Sequence, residues 1–121
     1  MYLIVGAGLG TYMGFARNFA LAPVHAHLLL AGWLTLAMAG VIYHIFPVAS
    51  GTALARWHFW LHNLGLPLFL VALGGMLLGL DARLGIISPA IAVGVIALLS
   101  GFVCFALNVW RTIKPAGRTV G

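Results

Sequence analysis

His25 and His27 stand in the run Pro23-Val24-His25-Ala26-His27, and an unbroken apolar stretch follows from Leu28 to Phe46, ending at Pro47. Imidazole can hold a metal or bridge helices by hydrogen bonds. Read as one helix of about 24 residues, the segment is roughly 36 Å long, enough to cross the hydrocarbon with some tilt. The pair then lies one turn inside the helix start, at a depth where polar groups are costly and usually mark function. Residues two apart on a helix point roughly 200° away from each other. His25 and His27 therefore look out of opposite sides at one depth. They cannot easily grip one metal together, but they can serve two separate centres. The plainer reading makes them a polar pair that holds helices together, although such hydrogen bonds seldom recover much more than about 1 kcal/mol in a membrane.

The other three histidines sort by depth. His44 lies further along the same helix, roughly 25 Å from His27 and near the opposite face. His58 and His62 open the next helix from that side, four residues apart on one helix face. That is metal-ligand spacing, but Phe59 stands where a His-Glu-x-x-His helix would carry its glutamate. Trp57, Phe59 and Trp60 flank the pair, which favours interfacial histidines bonded to carbonyls or lipid over metal binding by His58 and His62. A bis-imidazole iron needs its two nitrogens only about 4 Å apart. A site at His25 or His27 must then take its missing ligand from another copy, from water or from a diatomic gas. Haem is the natural partner: a large apolar plate that fits between helices and accepts axial imidazole. Its propionates would reach the surface near Arg17 and Arg83. Trp33, about two turns below the ligands, is a candidate for packing on a haem edge.

Composition sets the solvent. Of 121 residues, 64% are hydrophobic and only 6% charged, whereas a soluble domain carries about a quarter charged residues. This is the composition of an integral membrane protein. The formal charge of +5 comes from six bases and one acid. Those bases are scattered singly at the ends of apolar runs, which argues against nucleic acid and for membrane flanks. One cysteine, Cys104, leaves no disulfide within the chain and reads as a small buried hydrophobe. No basic segment precedes the opening Met1-Tyr2-Leu3-Ile4-Val5, so no cleavable signal is expected.

The pattern predicts an all-α, integral membrane four-helix unit with helices near 1–19, 23–46, 53–80 and 89–111. Gly6, Gly10 and Gly14 make a smooth ridge on the first, and Gly94 and Gly101 share a face of the fourth; both invite close helix approach. Thr52 or Ser50 suits the N-cap of the third, where Pro67 predicts a kink. Ser88-Pro89 reads as the start of the fourth. Both termini in the cytoplasm of a bacterial-type inner membrane would place Arg56, Arg111, Lys114 and Arg118 inside, with Arg17 and the Asp81/Arg83 loop outside. Trp57, Trp60 and Trp110 would then form the inner aromatic belt.

His25-Ala26-His27 with Gly32-Trp33, Gly40 and Tyr43-His44-Ile45-Phe46-Pro47 resembles the tenth helix of haem–copper oxidase subunit I. Trp57-His58-Phe59-Trp60-Leu61 with Asn63 and Gly65 resembles the start of that family's eleventh helix. The likeness covers roughly residues 22–83. In the family the HxH pair ligates two different haems, and arginines placed like Arg83 meet the propionates. The family's twelve helices form three four-helix arcs, and this chain is one arc long. The resemblance therefore implies a cyclic homotrimer, with a haem b held between His25 of one copy and His27 of the next. The copper-site strings of the family, His-Pro-Glu-Val-Tyr and His-His, are missing here, and no acid sits within a helix. That points to electron transfer, with donor and acceptor unnamed, rather than oxygen reduction. Two rivals are an oxygen- or nitric-oxide-reactive or sensing haem protein and a cofactor-free structural membrane subunit.

Overall fold

The computed structural model describes residues 1–80 and 85–113, and the only regular secondary structure among them is helical. Four main helices follow one another: α1 (Tyr2–Ala16), α2 (Ala22–Ile45), α3 (Ala53–Leu77) and α4 (Ile87–Thr112), with a single helical turn, Pro47–Ser50, between α2 and α3. Three of them, α2, α3 and α4, are long and apolar enough to cross a membrane. At 15 residues, α1 is only about 22 Å long, short of the roughly 30 Å of hydrocarbon. The expectation of four spanning helices is thus met by three and a shorter apolar one.

The ends have local causes. The predicted run of α1 toward Phe19 stops at Ala16 because Arg17 turns left-handed, at φ 49°, and its N–H closes on Gly14. Pro23 falls in the first turn of α2, where a missing N–H is harmless. Phe46, at φ −119° and ψ 76°, breaks the chain out of α2 before Pro47. Thr52 caps α3, its hydroxyl oxygen accepting the Ala55 N–H at 3.0 Å. The helix runs unbroken past Pro67 and ends at Leu77, three residues earlier than the pattern suggests. In turn, α4 starts at Ile87 rather than at Pro89. Pro89 is still within the first turn, where backbone N–H groups have no helical partner. Asp81 and Arg83 lie outside the described residues.

The helices pack in chain order: α1 on α2, α2 on α3, and α3 along most of its length on α4. Glycines set the last contact. A methyl added at Gly94 would stand 2.6 Å from the Phe69 nitrogen, and one at Gly65 2.8 Å from the Leu98 nitrogen. No side chain separates the two backbones there, so the helices meet at van der Waals distance. Gly6 and Gly10 of α1 instead make room for side chains of α2, Leu29 and His25, while Gly14 faces open space. Val24, Leu28, Leu66, Phe69, Leu70 and Leu98 form the buried core where α2, α3 and α4 converge. Outside, the surface is apolar: Phe15 is 88% exposed and Trp110 79%. Such a surface calls for lipid or another protein around it.

Candidate functional site

His25 and His27 diverge. The His25 ring lies over Gly10 of α1, so closely that a methyl there would be 2.7 Å from its Cε1. Its Nδ1 donates to the carbonyl of Gly6 at 2.8 Å. His27 turns the other way, edge-on to Phe69 of α3 with ring centres 5.1 Å apart, and its Nδ1 donates to the carbonyl of Pro23 at 2.7 Å. Its side chain remains exposed on the outside of the unit. Geometry on one helix already dictates this divergence, and the small faces at Gly10 and around Phe69 receive the two rings.

The hydrogen bonds fix the tautomers. A carbonyl oxygen only accepts, so each Nδ1 must carry the proton. Each Nε2 is then left with its lone pair. This is the arrangement of metal-ligating histidines, in which one ring nitrogen is held by a carbonyl and the other faces the metal.

Immediately beyond His27 the helix widens into a π-helical segment, Leu28–Leu34. The Thr35 N–H, which would close on Ala31 in a regular α-helix, closes on Leu30 instead, and the Thr35 hydroxyl joins it at 2.7 Å. Ala31 thereby loses its α-helical partner. Its carbonyl accepts the Nε2–H of His62 from α3, at 2.9 Å. Nothing in the apolar string Leu28-Leu29-Leu30-Ala31-Gly32-Trp33-Leu34 distinguishes this segment from an ordinary α-helix. Such wide turns recur at functional sites.

His58 and His62 do not face outward to lipid as the sequence pattern suggests. They are 2% and 0% exposed, inside the bundle. The reason is α4: Gly101 brings its backbone against theirs, a methyl at Gly101 standing 3.3 Å from the His62 nitrogen. Phe105 and Phe102 then cover the two rings at centre distances of 4.9 and 5.3 Å. The histidine rings stand edge to face, 5.5 Å apart. His58 Nδ1 meets the Tyr43 hydroxyl at 3.2 Å. His58 Nε2 and His62 Nδ1 are buried with no hydrogen-bond partner among the described residues. His62 does bond a carbonyl, as an interfacial histidine was expected to, but that carbonyl is in the core. For a metal the pair supplies only two donors: no group of three or more His, Cys, Asp or Glu positioned for an ion occurs among the described residues.

Asn108, which the sequence did not single out, is fully buried at the Thr52 end of the bundle. Its amide donates to the Ala49 carbonyl at 2.8 Å, and its oxygen accepts the Thr52 hydroxyl at 2.8 Å. Its place within the apolar run Phe105-Ala106-Leu107-Asn108-Val109-Trp110 was the available signal, since a lone carboxamide there must find partners. Arg17 is exposed at the turn that leads to α2, on the same end as His25. Trp33 is 45% exposed. Arg83 lies outside the described residues. His44 is exposed near the far end of α2. No protein-family model, curated protein or solved structure matches this chain.

Proposed function

We propose that this protein is a membrane haem b carrier of electrons, its haem held by His25 of one copy and His27 of the next in a homotrimer. One observation carries the reading: both rings spend Nδ1 on a main-chain carbonyl and keep the Nε2 lone pair. Two neutral imidazoles held this way would supply two nitrogen ligands to a haem iron. Because the rings point to opposite sides of α2, the second ligand belongs to another molecule. His27, exposed on an apolar surface, is the group most in need of one. Haem supplies one-electron exchange at its iron. The chain supplies two oriented ligands, an apolar surround that excludes water and raises the energy of charge, and Arg17 and Arg83 as partners for propionates. Trp33, partly exposed on α2, would offer its ring to a haem edge in this arrangement. The C-terminus lies on the cytoplasmic side of a bacterial-type inner membrane, which gathers Arg56, Arg111, Lys114 and Arg118 inside. The short α1, with Tyr2 packed on Gly32 at the middle of α2, does not carry the N-terminus across. Its partners are an electron donor that delivers one electron at a time and an electron acceptor, neither of which the sequence names.

Protein purified after haem-supplemented expression tests this directly. The expected result is a reduced-minus-oxidised spectrum of six-coordinate haem that carbon monoxide barely shifts. His25→Ala and His27→Ala should each abolish it, and His58→Ala should leave it in place. A colourless preparation overturns the proposal, and a spectrum shifted wholesale by carbon monoxide replaces the carrier by a gas-reactive haem.

A further inference from the structure

The buried pair His58 and His62 has no part in the ligand set above, yet two imidazoles in a dry bundle are costly unless something uses them. Their protonation states follow from their partners. His62 gives its Nε2–H to Ala31, so its Nδ1 holds a lone pair, buried and unpartnered. His58 meets through Nδ1 the hydroxyl of Tyr43, which can both donate and accept. The remaining nitrogen of His58 is likewise buried and unpartnered, on a ring 5.5 Å from that of His62. Free basic nitrogen and exchangeable proton therefore sit side by side.

This pair also has a direction. Tyr43 stands two residues before the end of α2. Asn108 lies beside its hydroxyl, and Thr52 bonds Asn108 at the mouth of the bundle. Toward the other side, His62 touches Ala31, one helical turn or about 6 Å from His27. A line of polar groups thus runs from the Thr52 end to the depth of the ligand histidines, through helices that are otherwise apolar. The elements packed around the pair bring Tyr43 from α2 and Cys104 from α4 as titratable groups. Arg56, on α3 itself, is exposed in the first turn. The one acid of the chain, Asp81, lies outside the described residues.

We infer that His58 and His62 form a proton-accepting station, taking up one proton from the water at the Thr52 end when one electron arrives beside His27. The inference rests on the haem reading. An added negative charge in a low-dielectric bundle draws in a compensating positive one, and the nearest unbonded base is this pair. An N–H bond forms at a histidine lone pair; Tyr43 hands on its hydroxyl proton and takes another from water, ending unchanged. The electron comes from the one-electron donor, so charge balances, one electron against one proton.

Redox titration of the haem-loaded protein in lipid nanodiscs between pH 6 and 9 tests it. The midpoint potential should fall toward about 59 mV per pH unit, the one-electron equivalent of a tenfold change. His58→Gln and His62→Gln, singly and together, should flatten that slope while leaving the haem spectrum unaltered. Should a glutamine variant fail to fold, the wild type with isotope-labelled histidine gives the same answer: reduction should produce the infrared difference bands of a protonated imidazolium, which the neutral rings of His25 and His27 do not give. A flat potential in haem-loaded wild type overturns the inference, as does a slope that survives the double variant or a missing histidine band. A preparation that binds no haem removes the reading beneath it and the inference with it; the absorption spectrum tells these failures apart.

Discussion

The Nε2–H of His62 in α3 donates to the main-chain carbonyl of Ala31 in α2 at 2.9 Å, across the contact that joins the two halves of the unit. The bond exists because the π-helical turns at Leu28–Leu34 move the Thr35 N–H off Ala31 and onto Leu30. Replacing His62 by Leu leaves that carbonyl buried with one partner fewer. The expected loss is about 1–3 kcal/mol of stability, visible as a lower unfolding temperature in detergent. A variant as stable as wild type would mean that the bond adds nothing and that the wide turn stands on its own.

Glycine contacts make a paired test. A methyl at Gly94 meets the Phe69 backbone at 2.6 Å, which no rotamer change can relieve, whereas one at Gly14 meets nothing within 4 Å. Gly94→Ala should force α3 and α4 apart at a cost of about 1–3 kcal/mol, the usual range for overpacking. Gly14→Ala should be neutral or slightly stabilising, because alanine favours helix. Equal effects from the two variants, read by thermal unfolding in one detergent, would contradict the packing described.

How far the site was legible depends on whether one helix or several decides the matter. The divergence of His25 and His27 needs only the helical repeat, so their spacing was enough. The burial of His58 and His62 is not readable, because it is decided by Gly101, Phe102 and Phe105, 39 to 47 positions further along the chain. Flanking tryptophans pointed to an interface instead, and they do lie outside: Trp57 is 61% exposed and Trp60 58%, on the face turned away from the buried pair. The π-helical segment left no trace in residue type, since leucine and alanine serve either helix. The apolar pattern overruns α1 by three residues because Arg17 closes it in a left-handed conformation, which favours glycine and is uncommon for arginine.

Gly10 separates positioning from folding. Its α-hydrogen leaves room for the His25 ring, whose Cε1 would be 2.7 Å from an added methyl. Gly10→Ala therefore displaces the ring from the Gly6 carbonyl while keeping both histidines. Haem occupancy, taken as the Soret absorbance per chain, should fall severalfold, with little change in helical content by circular dichroism. Unaltered occupancy would show that the seat of His25 on α1 does not matter for ligation.

Asn108 ties the turn before α3 to α4 through the Ala49 carbonyl and the Thr52 hydroxyl. Asn108→Leu removes both bonds and leaves the Ala49 carbonyl with only the longer contact from the Thr52 hydroxyl, at 3.2 Å, a loss of about 1–3 kcal/mol. Thr52 also caps α3, so Thr52→Ala should cost about 1 kcal/mol. The two residues share a bond, so the double variant should lose less than the sum of the singles. Strict additivity in unfolding temperatures would argue that the Thr52–Asn108 bond contributes no energy of its own.

Sharing of the ligands between copies has a signature that no single variant can give. His25→Ala chains lack one ligand and His27→Ala chains the other, so each alone should be colourless. In a ring assembled from an equal mixture, an interface is whole when the chain contributing His25 carries the His27 change and its neighbour carries the His25 change. Random cyclic trimers satisfy this at roughly a quarter of their interfaces. Co-expression of the two variants with different affinity tags, followed by purification through both, should therefore restore a fraction of the haem spectrum. Complexes that carry both tags and stay colourless would place both ligands of each haem within one chain or leave the histidines without haem. Colour in either variant alone would show that one imidazole suffices.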